Sequence, residues 1–533
     1  MTLNLLRTIV FTGLLFPLCS SADSLLVMSL DELRDRIRGG WVGQMIGVSF
    51  GFPTEFAYRE KIVPANKLPQ WQPEMIREAL KQDDLYVDIT FAQVLDEKGL
   101  DASTEDFGAF FREARYPLWH ANLSARRALR RGVPATSSGS LEYNLHANDI
   151  DFQIEADFIG LMSPAMPQAS NEIALRAGQV INQGDGIYGG MFVSAMYASA
   201  FFENDVVEVV EAGLGVLPVH SRYGQMIQDV ITWWREDPEN WESTWNNIHQ
   251  KWNHGEMCPE GALQPFNIDA SLNGAFIALG LLYGGGDFDR TMRITTRAGQ
   301  DSDCNPASAL GILGVMHGFS NIPKRFTSEV ESIANDKFLY TDYSLNEIVE
   351  SSYRRAITLA KRHDGYVSGG KIYINKQTPL APMGLSSVKS YRVEEEIQFN
   401  DTRWNWQGNW RHERVKIWRY HHESMVSDIA GDEAQISFRG SGVALKGILL
   451  ADGGLLDIYL DGEFIRTVDV YPDEDWAKPQ EALWHKLDLE NKLHELRVVV
   501  RGEPYIESSG SKISISSLLV YNSQLKEETG NKQ

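Results

Sequence analysis

Two short acidic stretches carry the residues best suited to chemistry. In GQDSDCNPASALGILGVMHG, from Gly299 to Gly318, Asp301 and Asp303 stand just before Asn305 and Pro306, where a helix can begin. In KQDDLYVD, from Lys81 to Asp88, Asp83 and Asp84 are adjacent. Asp84 and Asp88 are four apart, so on a helix both carboxylates share a face. Like charges this close repel unless something positive lies between them, and carboxylate oxygens suit a hard divalent cation such as Mg²⁺. Each stretch also has a plainer reading. Asp301 and Asp303 could be an N-cap with an acidic first turn, and Asp84 and Asp88 a solvated acidic face.

Accurate placement of such acids demands well-packed helices, and the flanking sequence supplies them. After Asp303, Ala307, Gly311, Gly314 and Gly318 recur at helical spacing and leave one face almost bare. A second stripe lies near the start. Leu30 to Phe56 reads as a helix running into a loop, with Leu33, Ile37, Trp41 and Met45 apolar and Gly39, Gly43, Gly47 and Gly51 every fourth residue. The two are expected to pack glycine to glycine. Glu74 to Leu95 reads as one helix carrying Gln82, Asp83, Asp84 and Asp88. From Phe107 to Phe288 helical patterns such as Ser194 to Phe202 and Met226 to Trp234 alternate with glycine-bearing loops. One of these, Gly184 to Gly190, holds Asp185 and Tyr188, which either line a pocket for substrate or simply turn the chain. His220 and His254 lack ligand spacing and read as ordinary polar residues.

Near Gln377 to Val388 the composition shifts to Pro, Ser and Gly, marking a linker at 377–389 between a helical domain, 23–376, and a second domain, 390–525. In the second domain the period becomes two: Ile436 and Phe438, Val443 and Leu445, Leu456, Ile458 and Leu460, Val468 and Val470, and Leu496, Val498 and Val500 alternate with other residues. Asp461-Gly462 supplies a hairpin turn. The expected architecture is therefore multidomain, all-α followed by an all-β sandwich of jelly-roll type. Trp404, Trp406, Trp410 and Trp418 could stack on sugar rings, although packing is the expected fate of most of them.

With 533 residues and 43% hydrophobic content, the chain can bury the core of two domains. A net charge of -22 and a pI near 5.0 argue against an electrostatic nucleic-acid or anionic-membrane binder. Arg7, the apolar run Thr8 to Leu18, and Ser20, Ser21 and Ala22 form a signal-peptide pattern over 1–22 and an expectation of secretion or periplasmic export. Cys19 raises lipoprotein anchoring, which Phe16-Pro17-Leu18 before it disfavours. Past that point Cys258 and Cys304 remain, too few for a disulfide framework, and no later stretch is apolar enough to span a membrane.

Three motifs in order resemble the ADP-ribosylglycohydrolase family over roughly Leu30 to His317. GQMIGVSFGFPTE, Gly43 to Glu55, matches the family's GxxxGDxxGxPxE; Gln82-Asp83-Asp84 matches its Thr-Asp-Asp; Gln300-Asp301-Ser302-Asp303-Cys304 matches its Gly-Asp-Thr-Asp-Thr. The resemblance implies a compact all-α catalytic domain and two Mg²⁺ sites, with Mn²⁺ or Ca²⁺ as alternatives. Asp83, Asp84, Asp301 and Asp303 would be ligands, and Glu55 the acid at the substrate. Three positions depart from the family. Val48 replaces an aspartate, and Gln82 and Cys304 replace threonines. Gln82 still offers a carbonyl oxygen, whereas Cys304 offers a soft sulfur ill suited to Mg²⁺. Asp88 could supply a missing ligand, and Asp185 could reach the same pocket.

The expectation that follows is a secreted, metal-dependent hydrolase of a glycosidic bond, in an ADP-ribose conjugate or another small-molecule or glycan substrate. A metal-free variant would use Glu55 and Asp301 as acid and base. The alternative from another class is a non-catalytic ligand- or glycan-binding protein on the same scaffold.

Overall fold

A computed structural model describes residues 25–253, 257–385, 391–418 and 420–523. The expected signal peptide, His254 and positions 386–389 of the expected linker lie outside the described residues. The helix Leu30–Gly51 opens the first domain, capped by the Ser29 side chain accepting from the Glu32 backbone N–H. It lies along the helix Cys304–His317. A methyl group at Gly39, Gly43, Gly47 or Gly51 would collide with the backbone carbonyls of Gly314, Leu310, Pro306 and Ser302 in turn. The expected pairing of bare faces is thus present, glycine to glycine at Gly39 and Gly314 and glycine to backbone further along. It brings the end of one motif against the start of another, since Gly51 meets the residue between Asp301 and Asp303.

Around this pair pack Asp83–Lys98, Asp185–Ala200, Ala270–Gly284 and Leu345–Arg362, all apolar on their inner faces. The domain is not purely helical. Leu25–Ser29 pairs antiparallel with Lys371–Asn375, which pairs with Tyr366–Ser368, so a three-stranded sheet joins the two ends of the domain. The chain beyond stays attached for several residues: Gln377 N–H donates to the Ala165 carbonyl, and Gln168 Nε2 donates to the Thr378 carbonyl.

Two helical expectations need correction. Glu74 to Leu95 is not one helix. A 3₁₀ helix, Pro73–Lys81, ends at Gln82, whose backbone is extended, and a new α-helix starts at Asp83. The physical reason is the acid pair itself, which is better placed in a first turn beside unpaired N–H groups than in a helix interior. Gly184 to Gly190 is not a loop: from Asp185 onward it is helix. Its glycines admit close neighbours, Gly189 against Gln153 and Gly190 against Phe152.

The second domain is two antiparallel sheets. One runs, in spatial order, Glu463–Asp469, Gly454–Leu460, Lys492–Pro504, Glu433–Gly440 and Asn405–Gln407. The other runs Lys478–Lys486, Gly442–Leu449, Ile513–Ser523, Tyr420–Ser427 and Arg411–Ile417, with Tyr391–Gln398 also paired to Ile513–Ser523. Their core holds Ile436, Leu456, Ile458 and Val498 from the first sheet and Val443, Leu445, Ile513 and Ile515 from the second. The Asp461-Gly462 turn has both residues at positive φ, 52° and 84°, as a tight hairpin requires. Trp404, Trp406 and Trp410 form a packed ladder with ring centroids 4.9 Å apart, and Trp406 and Trp410 donate to the Phe399 and Glu433 carbonyls. Trp418 alone of the four is largely exposed, at 77%, its ring near that of Trp119 in the helical domain.

The domains meet through charge. Arg126 Nη2 lies 2.6 Å from Glu474 Oε1, and Arg131 binds Asp469 and Asp473 at 2.6 and 2.7 Å. Lys478 Nζ donates to the Leu118 carbonyl at 2.6 Å and lies 4.2 Å from the centre of the Trp119 ring.

Candidate metal centre and its acids

The turn that carries Asp301 and Asp303 is strained and held from outside. Gly299 and Gln300 both have positive φ, 81° and 52°, and a non-glycine residue there needs support. Gln300 receives it. Its N–H donates to the Tyr58 carbonyl, and its own carbonyl accepts from Phe56 N–H. Its side chain donates to the Pro265 carbonyl and accepts from Asn267 N–H. Ser302 Oγ lies 2.8 Å from Thr54 Oγ1. The loop that carries Glu55 is therefore stitched directly to the acid turn, and Glu55 sits half-buried at its rim, its charge acting on Asp301.

Asp83 and Asp84 reach the same place from the first turn of Asp83–Lys98. Asp84, Asp301 and Asp303 are each at most 2% exposed. Burial pushes the Asp84 carboxyl well above its ordinary value, and the charges of Asp83 and Asp303 push it further. Asp301 is raised chiefly by burial, with Asp84 and Glu55 adding to it. Asp303 is raised by burial and then by Asp301. Both oxygens of Asp84, both of Asp301 and Oδ1 of Asp303 are buried with no hydrogen-bond partner among the described residues. Hard, converging, unsatisfied oxygens fit a divalent cation such as Mg²⁺, Mn²⁺ or Ca²⁺. Cys304 lies against Asp84 and Asp301, where its thiol eases both carboxylates. Burial, together with Asp301 and Asp303, pushes that thiol well up, so it is a neutral donor there.

The remaining expected residues separate into near and far. Asp88 is buried next to Asp157 and accepts from Phe158 N–H, with Gln44 and Arg355 at hand; Asp157 in turn acts on Asp84. Gln82 sits at the helix break with its amide nitrogen directed to Glu78. Asp185 stands apart from these acids. Its neighbours are Asp269 and Arg222, and burial followed by Asp269 raises its carboxyl to about 7. Tyr188, buried, stands with Asp185.

Sequence reasoning missed several participants. Glu155 is fully buried, bonded by the Asn122 amide, and raised well above its ordinary value by burial and then by Asp151, with smaller pushes from Asp83 and Asp88. Asp157 belongs to the same group. Both lie in NDIDFQIEADFIG, where four acids interrupt an apolar stretch, and that density was the available signal. Lys478 of the β domain had no such signal. It acts on Asp83 from across the junction. A cleft of about 390 Å³ also opens at the junction, lined among others by Glu60, Phe266, Asn267 and Arg392, with none of the cluster acids in its wall.

Helical architecture, glycine-matched helices and a buried cluster of carboxylates define the class, a helical domain built around converging acids, and the sequence comparison places it in a family. A profile of the ADP-ribosylglycohydrolase family matches residues 29–361. The chain belongs to the ADP-ribosylglycohydrolase family. A curated relative, an A type blood alpha-D-galactosamine galactosaminidase of Flavonifractor plautii, is 28% identical over 107 residues, 20% of this chain and 10% of that protein. The chain thus spans about a tenth of that relative's length. Among solved structures, an ADP-ribosylglycohydrolase-related protein complex aligns at 15% identity and a TM-score of 0.35, covering 61% of this chain and 99% of that one. The CBM36-1 domain of a multidomain xylanase from the hindgut metagenome of Trinervitermes trinervoides aligns at 11% identity and a TM-score of 0.17, covering 24% and 94%. Among the described residues no helix is long and apolar enough to cross a membrane.

Proposed function

We propose that this chain is an exported, divalent-metal-dependent hydrolase of a glycosidic bond, acting on an ADP-ribose conjugate or on another glycoside. The observation that carries the reading is the buried convergence of the Asp84, Asp301 and Asp303 carboxylates, most of whose oxygens make no geometrically good hydrogen bond among the described residues. Leaving them so costs free energy that a bound cation returns. Asp83, Asp84, Asp301 and Asp303 would hold the ions, with Asp88 and Asp157 behind Asp84. When bound, such ions polarise sugar oxygens and lower the pKa of water. The chain's own groups do the rest. Glu55 stands at the rim beside Asp301, able to give a proton to the departing oxygen and take one from water. Lys478, Trp119 and Trp418 form a wall contributed by both domains, where an aromatic face can meet a sugar ring. Cys304, a neutral thiol where the family has a threonine, weakens one edge of the centre for Mg²⁺ and leaves Mn²⁺ a better occupant.

Metal content and hydrolysis of the mature full chain test this directly, with and without Asp301→Ala combined with Asp303→Ala. Bound hard divalent ions in the wild type, lost together with turnover in the variant, support the proposal. Turnover that survives both the variant and a chelator would refute it. ADP-ribosyl conjugates and galactosaminides, assayed side by side, decide the substrate class.

A further inference from the structure

A second group of metal-ligating side chains lies away from the acid centre. His120 begins the helix His120–Arg130; His146 and Asp149 follow in the next loop; Cys258 comes from a loop more than a hundred residues later. Their ligand atoms all lie within 4.8 Å of one another. Cys258, His146 and Asp149 are buried, and Cys258 is in no disulfide.

The hydrogen bonds around His146 make the case. Its Nε2 lies 3.2 Å from Glu481 Oε2, a carboxylate oxygen of the β-domain strand Lys478–Lys486, and so donates its proton there. In the neutral ring that leaves a lone pair on Nδ1. Nδ1 is hydrogen-bonded to Asp149 Oδ2 at 2.7 Å and lies 3.2 Å from Cys258 Sγ, whose thiol also hydrogen-bonds Asp149. On the far side, His120 Nδ1 stands 3.9 Å from the same Asp149 oxygen and is buried without a hydrogen-bond partner among the described residues. His120 also has φ 44°, a strained backbone for a non-glycine residue. Two nitrogens, one carboxylate oxygen and one sulfur from separate stretches of the chain thus converge on one point, and the protons that now join them are the ones a metal ion would displace.

We propose that His120 Nδ1, His146 Nδ1, Asp149 Oδ2 and Cys258 Sγ bind one structural Zn²⁺ ion at the junction of the two domains. The donor set is nitrogen, nitrogen, oxygen and sulfur, which suits zinc and not Mg²⁺. In a tetrahedral zinc site, bond lengths of about 2.0–2.3 Å set neighbouring ligands roughly 3.3–3.8 Å apart, and the contacts here bracket that range. One thiolate and one carboxylate neutralise a divalent ion, so the buried centre carries no net charge. Four protein ligands leave no open position, hence a structural role. Glu481 fixes the His146 tautomer from outside, the usual partner of a zinc-bound imidazole. Through it the ion ties the helix that bears Arg126 and Arg127 to the β domain.

The test uses the full-length mature chain with Asp301→Asn and Asp303→Asn, so that the acid centre does not contribute to the count. Zinc content near one per chain is expected, with Co²⁺ in its place giving a thiolate-to-metal absorption band. That band should persist in Cys304→Ser and vanish in Cys258→Ser. Glu481→Gln, which leaves all four ligands in place, should weaken zinc about 10- to 100-fold. The proposal is overturned if no zinc binds, if Co²⁺ gives no thiolate band, if the band survives Cys258→Ser, or if Glu481→Gln leaves affinity unchanged. Absence of zinc would mean that His146 is an imidazolium shared with Asp149. Where Cys258→Ser fails to fold, the Co²⁺ spectrum of the parent and the Glu481→Gln affinity still decide. Neither outcome depends on hydrolysis.

Discussion

The carboxylates at the domain junction and those of the acid centre are both buried, yet they stand in opposite electrostatic surroundings. Asp469, Asp473 and Glu474 face Arg126, Arg127, Arg131 and Lys478 at hydrogen-bond range. Burial works to raise the Asp469 carboxyl, but the Arg131 hydrogen bond and the charges of Arg127 and Arg131 outweigh it and hold it at about 2. Asp84, Asp301 and Asp303 face one another, and burial and mutual repulsion raise all three. Junction acids are satisfied by folding itself. Acids of the centre have one another and the Cys304 thiol as neighbours, surroundings that a bound cation would complement as proposed above.

The largest expected effect tests the unsatisfied side. Asp301→Ala with Asp303→Ala should lower hydrolysis by about a thousandfold or more, since the lost electrophilic assistance is worth several kcal/mol. In metal-free protein the same variant should melt higher than wild type, because it removes buried repelling charge. A lower melting temperature in calorimetry would mean that these acids brace the fold, and the contrast would be gone.

Next in size is the satisfied side. Arg126→Ala leaves Glu474 buried with a lost partner and should cost about 3–5 kcal/mol in urea unfolding. A cost below about 1 kcal/mol would place the junction among ordinary surface pairs.

The pH dependence should separate the two groups by sign. Asp469 has a folded value near 2, below its ordinary 3.8, so its stabilisation, about 2 kcal/mol, is present above 3.8 and is lost as pH falls toward 2. The centre's carboxyls have raised folded values. Their contribution is complete below the ordinary carboxyl value and is lost as pH rises through the raised ones. Melting curves in chelator should therefore fall off at both ends, and added divalent metal should flatten the upper limb only. A metal-free profile level from mildly acidic to neutral pH would contradict this.

Smallest is Trp418→Ala, at the seam between the two regions. An exposed indole should change stability by no more than about 0.5 kcal/mol. It should raise KM for a glycoside while sparing kcat; an unchanged KM would remove the aromatic wall from the substrate's path.

Much of the architecture was legible beforehand. Glycines every fourth residue from Gly39 to Gly51 and small residues from Ala307 to Gly314 announce a close helix pair, since only bare faces allow backbones to touch. Alternation from Ile436 to Val500 and the Asp461-Gly462 turn announce the β domain. The break at Gln82 was not legible, because local periodicity continues across it and only the demand of the acids for a helix start interrupts it. Whether Asp185 lines a pocket or turns the chain was open in the sequence, and only the packed structure shows that the charges acting on it are those of Asp269 and Arg222.

By itself the sequence determined what depends on neighbours along the chain: helix faces, strand alternation, tight turns and the order of the three acidic and glycine motifs. Tertiary structure alone decided which distant residues share a buried volume. It brought Glu155 and Asp157 beside Asp84 and Asp88, set Lys478 of the second domain against Asp83, and gathered His120, His146, Asp149 and Cys258 at one point. These meetings have no period and no fixed spacing. They arise from burial and close packing, which act between atoms near in space however far apart they lie in the chain.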